Sequence, residues 1–205
     1  MNISNLKKNV YAYLGFHSVA PDESTDAEID DEIKQVQKFA HFRYAYKHFD
    51  IPPSFLDKQP YTAYLKDSTG VILSVMTLGG EIDRRINIYE RSDKRKAVIF
   101  DACASAFLEE LSDEYERDIA HDLSYRFCPG YGGSSVEDLK YIFAILQPEK
   151  IGVSLTESGY MLPSKSMAGI IAVGGTHKKS CARCILKEHC LYIKEGTTCY
   201  IRENK

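Results

Sequence analysis

The chain has 205 residues, 44% hydrophobic and 27% charged, enough for one sizeable core with a small appendage. Its net charge of −3 argues against a nucleic-acid surface or an anionic membrane as partner. No apolar run approaches the roughly 18 to 20 residues of a bilayer span, and Met1 to Lys8 lacks the apolar centre of a signal peptide, so a cytoplasmic location is expected, where structural disulfides are disfavoured.

Residues 9–20 open with aromatic and aliphatic side chains (Val10, Tyr11, Tyr13, Leu14, Phe16). Asp22 to Asp26 is an acidic turn, and Thr25-Asp26-Ala27-Glu28 has the form of a capping box. From it Ile29, Ile33, Val36 and Ala40 recur at helical spacing, so this stripe belongs to the core. Arg43 to Ile51 alternates through Tyr44, Tyr46 and His48 as a strand that stops at Pro52-Pro53. His41 and His48 stand alone and read as surface or edge residues.

Val71 to Thr77 is an almost continuous apolar run, the pattern of a strand covered on both faces, and Leu78-Gly79-Gly80 breaks it. Ile82, Ile86 and Tyr89 carry the next helix. A longer one is expected from Arg95 to about Arg117, with Val98, Ala102, Ser105, Leu108 and Leu111 inward and Cys103 in the core.

Arg126-Phe127-Cys128-Pro129-Gly130-Tyr131-Gly132-Gly133 has the make-up of a ligand loop. Pro129 pushes Cys128 into an extended conformation and away from helical pairing. The glycines allow positive φ and close approach of another molecule. Arg126 offers a planar fork of donors suited to a carboxylate. The plain alternative is a turn with an arginine at its edge. Neither Arg126 nor Tyr131 lies on an apolar stripe, so folding is expected to survive their substitution.

Ser134 or Ser135 then caps a helix to about Leu146, with Leu139, Ile142, Phe143 and Leu146 inward. Ile151, Val153 and Leu155 alternate as a strand, and Met167 to Val173 forms another. Thr156-Glu157-Ser158 is a second polar cluster. Glu157 can oppose a positive charge or accept hydroxyl hydrogens; the alternative is that Thr156 and Ser158 satisfy a turn while Glu157 pairs with a base such as Arg126.

In the tail, Cys181, Cys184, Cys190 and Cys199 follow a C-x2-C-x5-C-x8-C pattern. Four thiolates can close one zinc site or hold an iron-sulfur cluster. Loose reduced thiols, or a redox dithiol at Cys181 and Cys184, are the other readings. The expected division is a main domain over 1–176 and a metal-binding tail over 177–205. The fold expected is α/β (α+β): a curved mixed or antiparallel sheet with surrounding helices, plus the cysteine-rich tail.

Arg126-x-x-Pro129-Gly130-Tyr131, then Ile151 to Ser158, then Met161-Leu162-Pro163-x-x-Ser166-x-x-Gly169, resembles the activation (reactivation) domain of cobalamin-dependent methionine synthase. Thr77 to Arg84 and Asp101 to Ala106 extend the likeness towards its short, stand-alone clostridial-type form. The resemblance implies S-adenosylmethionine as cosubstrate. It gives Arg126 the methionyl carboxylate, the main chain at Cys128 beside Pro129 and Gly130 the adenine, and Tyr131 a place near the corrin. It implies a reactivation subunit for a separate cobalamin-binding methionine synthase or corrinoid protein, with a flavodoxin-like electron donor. A docking scaffold that does not bind S-adenosylmethionine is the alternative, and an electron-transfer protein a third reading. The sequence departs from the family where acidic residues line the cosubstrate site, placing Ser105 and Ala120 there. A later tyrosine contact falls near Lys179, and the N-terminal aspartate has no counterpart.

Overall fold

A computed structural model describes residues 3–16, 19–174, 193 and 196. Gly70–Thr77 (β2) is buried at every position, as its unbroken apolar run demands. It is the middle strand of an antiparallel sheet, flanked by Arg43–Phe49 (β1) and Ser166–Val173 (β5), so the antiparallel form of the expected sheet is the one found. Val71, Leu73 and Val75 enter one hydrophobic cluster and Met76 the other, as the period of two requires.

The second cluster is built on Tyr61–Tyr64 (α3) and Leu139–Leu146 (α6). The first is helical: Ile3–Tyr13 (α1), Glu23–Phe39 (α2) and Gly80–Ser92 (α4) all pack on the 26-residue helix Lys94–Ile119 (α5). Asp93 opens α5, accepting from the Lys96 amide at 3.1 Å. Burial pushes the Cys103 thiol up to about 12, which keeps it protonated in the core.

Two boundaries and the facing of two α5 residues differ from the sequence reading. The cap of α2 is Asp22, whose carboxylate accepts from the Thr25 amide at 2.8 Å, so Thr25 lies inside the helix, where Arg95 donates to its hydroxyl at 2.8 Å. The strand expected from Ile151 shrinks to Ser154–Leu155 (β3), paired with Met161–Leu162 (β4), because Pro148–Ile151 is a 3₁₀ turn and Gly152 has φ +79°. Val98 is 60% exposed and Ser105 half-buried rather than inward; Ala102, Cys103 and Leu108 are in the core as expected, joined by Phe100 and Phe107. His41 and His48 are exposed, as expected.

Beyond β5 the chain adds a further edge without forming a full strand. Ser124 donates to Ala172 at 2.9 Å, and Phe127 and Ile170 exchange both backbone bonds at 2.8 and 2.9 Å. Between the bridges Leu123–Val173 and Phe127–Ile170 the register slips by one residue. The buried Tyr64 hydroxyl fills the slip, accepting from the Ala172 amide at 3.0 Å and donating to the Tyr125 carbonyl. Tyr64→Phe is expected to lose about 1 to 3 kcal/mol, the cost of leaving buried backbone groups unmatched. Urea denaturation measures it, and a change below about 0.5 kcal/mol, the noise of a surface substitution, would refute this role for the hydroxyl.

Candidate functional site

Helix α5 packs against α1, α2 and α4, and along one partly open seam Val98, Asp101, Ser105, Glu109 and Asp113 follow at three- and four-residue steps. These residues are half-buried or exposed. The edge segment delivers Arg126 to the C-terminal part of this seam. Its side chain is only 5% exposed, and its stem crosses Gly169 of β5. A Cβ on Gly169 would stand 2.3 Å from Arg126 Cγ and 2.6 Å from Cδ, so only glycine leaves room for the stem.

At the end of that stem Nη1 donates to Glu116 Oε1 at 2.6 Å and Nη2 to Asp113 Oδ1 at 2.7 Å, with Glu109 Oε2 at 3.6 Å. Burial alone would lower the guanidinium pKa; Glu116, Asp113 and Glu109 reverse that and raise it, so Arg126 is firmly charged. One guanidinium facing three carboxylates leaves the group at −2 when all are ionised. Glu116 is buried with it, whereas Asp113 and Glu109 reach the surface.

The rest of the loop is closed by its own bonds. The Cys128 carbonyl accepts from the Tyr131 amide at 3.2 Å, and the Tyr131 carbonyl accepts from both the amide and the hydroxyl of Ser134, at 3.0 and 2.7 Å. Gly132 has φ +58°, and a Cβ there would stand 3.0 Å from the Phe127 ring. The turn therefore holds Tyr131 outward, 68% exposed. Ser135, not Ser134, is the helix-start cap, accepting from the Glu137 amide at the head of a 3₁₀ turn that leads into α6. That junction is fixed by Asp138, which accepts from Lys58 at 2.7 Å and from Tyr61 at 2.8 Å.

Tyr13, at the end of α1, stands beside the same seam. Partial desolvation beside the seam and the neighbouring Glu109 and Tyr131 raise its phenol above the ordinary value, against a smaller opposing effect of Arg126, although Tyr13 is 54% exposed. Tyr13 also lines a groove of about 580 Å³ with Leu14, Ala97, Val98, Asp101 and Ala102. Lys165 stands within the seam, donating to Ser105 at 2.9 Å and pairing with Asp101 at 2.8 Å.

Of the residues expected from sequence, Arg126, Cys128, Pro129, Gly130 and Tyr131 share the loop. Glu157 is exposed on the β3–β4 turn, which approaches the loop across Val136: a Cβ on Gly159 or on Gly130 would meet that valine at 3.4 or 3.6 Å. Thr156 serves the turn, accepting from the Tyr160 amide at 3.0 Å. Arg126 pairs with carboxylates of α5 rather than with Glu157. Glu109, Asp113 and Glu116 are the additions. Their spacing of four and then three residues places them on one helical face, a signal present in the sequence, though nothing there aims Arg126 at that face. Ser105 lies one turn further along, and Ala120 ends α5.

Cys181, Cys184, Cys190 and Cys199 lie outside the described residues, as does the expected boundary at 176–177. Among the described residues no group of three or more His, Cys, Asp or Glu could hold a metal ion, and no helix is long and apolar enough to cross a membrane.

No protein-family model and no curated protein matches the chain. Among solved structures it is similar to the crystal structure of the MetH reactivation domain bound to AdoHcy, with a TM-score of 0.54 and 16% sequence identity over 97% of this chain and 85% of that one. At that identity the likeness is one of fold.

Proposed function

We propose that the chain binds S-adenosylmethionine between the Arg126–Tyr131 loop and the α5 seam, and that it acts as the reactivation partner of a cobalamin-carrying methyltransferase, methionine synthase in the first instance. The observation that carries the reading is Arg126: a buried guanidinium, laid over Gly169, whose outer edge opens on the seam beside an exposed tyrosine. The fold likeness to a domain holding AdoHcy supports the ligand class. A site at −2 also suits a sulfonium, which brings positive charge, better than a neutral or anionic nucleotide.

In this reading Arg126 takes the methionyl carboxylate, and the main chain at Cys128, with Pro129 and Gly130, takes the adenine. Glu157 faces the ribose or sulfonium, and Tyr131 meets the corrin of the partner. The methyl group is the sulfonium's to give, and the acceptor is reduced cobalt on the partner. The chain's residues therefore position a donor and exclude water; they need no base or nucleophile of their own. The four tail cysteines are proposed to hold zinc or an iron-sulfur cluster, and a flavodoxin-like protein to supply the electron. The docking scaffold is the second reading, and it is favoured by the fact that the Arg126 fork is already engaged by Glu116 and Asp113.

Titration calorimetry with S-adenosylmethionine, alone and with a cobalamin-loaded methionine synthase, separates the two. Binding is expected in both, tighter with the partner, because each ligand orders what the other needs. Complex formation with the partner and no heat from S-adenosylmethionine in either arm would leave the scaffold in its place.

A further inference from the structure

We propose that the outer edge of β1 accepts an extended segment of a partner protein as one more strand, and that this segment alternates acidic with apolar residues. The inference stands apart from the adenosyl-ligand reading and from the Arg126 seam.

β1 ends the three-stranded sheet, and among the described residues no strand pairs with its outer side. Which of its backbone groups face that side follows from the bonds at the far edge of the sheet. Ile170 exchanges both backbone bonds with Phe127, and Ala172 bonds Ser124 and Tyr64, so the groups of these two residues point away from β2. Their opposites on β2, Leu73 and Val71, therefore point at β1, because bonded and unbonded positions alternate along an antiparallel pair. Leu73 and Val71 stand opposite Lys47 and Phe49, so Arg43, Ala45, Lys47 and Phe49 bond inward. The N–H and C=O groups of Tyr44, Tyr46 and His48 are left to the outside, three rungs for a further strand.

The two faces of that edge differ. Tyr44 and Tyr46 are exposed on the face of the first cluster, with the Tyr115 ring centroid 3.7 Å from that of Tyr44 and 6.2 Å from that of Tyr46, a platform for apolar side chains. On the opposite face Arg43 and Lys47 are both exposed. Arg43 reaches towards Gly152 and Lys47 lies over the Phe49 ring, and neither is ion-paired among the described residues. No acid occurs between Arg43 and Phe49; Asp50, 3.7 Å from His48, follows the strand. These cations disfavour a second copy of β1, which would gather like charges, and they favour carboxylates. An added strand turns alternate side chains to the two faces. Acidic residues at every second position then meet Arg43 and Lys47, while those between them lie on the tyrosines.

The probe is a fluorescein-labelled peptide in which glutamate and valine alternate, titrated with the full chain and followed by anisotropy. Binding is expected, weakened by salt and stronger by at least about tenfold than that of the same peptide with lysine in place of glutamate. Lys47→Glu, at an exposed position, should bring that preference within about threefold or reverse it. Two further peptides carry backbone N-methyl groups, one at every glutamate and the other at every valine. In strand addition only one of these sets of amides faces β1, so one peptide should lose binding and the other keep it. Equal binding of the acidic and basic peptides, the same outcome for both methylated forms, or no binding to the unmodified chain would overturn the proposal, and none of these results needs a variant to fold. Self-association of the chain that excludes the peptide would also overturn it, by giving the edge to a second copy.

Discussion

Arg126→Ala is expected to lose about 3 to 5 kcal/mol of folding stability, the cost of removing one partner from a buried ion pair. Glu116 carries most of it, because its carboxylate is buried with the guanidinium, whereas Asp113 and Glu109 are more than a third exposed and can be hydrated. The sequence carries no sign of this burial, which makes the stability of Arg126→Ala the first thing to measure beside the expectation that the fold survives. Two further variants separate the roles. Glu116→Gln added to Arg126→Ala should recover part of the loss, since a buried amide costs less than a buried carboxylate that has lost its guanidinium. Arg126→Lys keeps the stem and the charge, so it should hold most of the stability while losing the fork. Cosubstrate affinity should then fall by about 2 to 5 kcal/mol in Arg126→Ala and recover only partly in Arg126→Lys. Urea denaturation and calorimetry measure the two effects independently. Wild-type stability in Arg126→Ala would mean that the ion pairs are not formed in solution.

Gly169→Ala should strike the same residue from below. The added methyl would stand 2.3 Å from Arg126 Cγ, and the stem cannot swing aside while both terminal nitrogens are held by Glu116 and Asp113. Overpacking of this kind costs about 1 to 3 kcal/mol. The larger effect is on the ligand, because a fork shifted by even half an ångström no longer presents two aligned donors, and a loss of tenfold or more, about 1.4 kcal/mol, is expected. Unlike Arg126→Ala, this variant keeps every charge, so salt dependence of ligand binding should be unchanged. Unaltered affinity would show that Arg126 reaches the ligand by another path than the stem over β5.

The fold was readable where period and burial agree. The continuous apolar run of β2 and the helical stripe of α2 could only be buried, and both are. Helix α5 was placed correctly and Ala102, Leu108 and Leu111 do face the core, but with α1, α2 and α4 packed on it the buried face is wider than one stripe, and Val98 and Ser105 fall on the seam. The loop at 126–133 was recognisable because its residue types are costly in a plain connector. The carboxylates opposite it were not, since Glu109, Asp113 and Glu116 look like any solvated helix surface until the edge segment folds Arg126 against them. That contact depends on a glycine more than forty residues further along the chain, and no local pattern records it.

The segment 123–127 is attached to β5 by a handful of hydrogen bonds and the Tyr64 hydroxyl, whereas β2 is paired along its whole length on both sides. Its detachment need not break β2, so the Ser124 and Phe127 amides can exchange with solvent deuterium through a local opening that leaves the central strand protected. Because Arg126 belongs to this segment, a ligand held by the guanidinium adds its binding free energy to the work of that opening. Amide exchange at Phe127 thereby becomes a gauge of site occupancy, readable without following any chemistry.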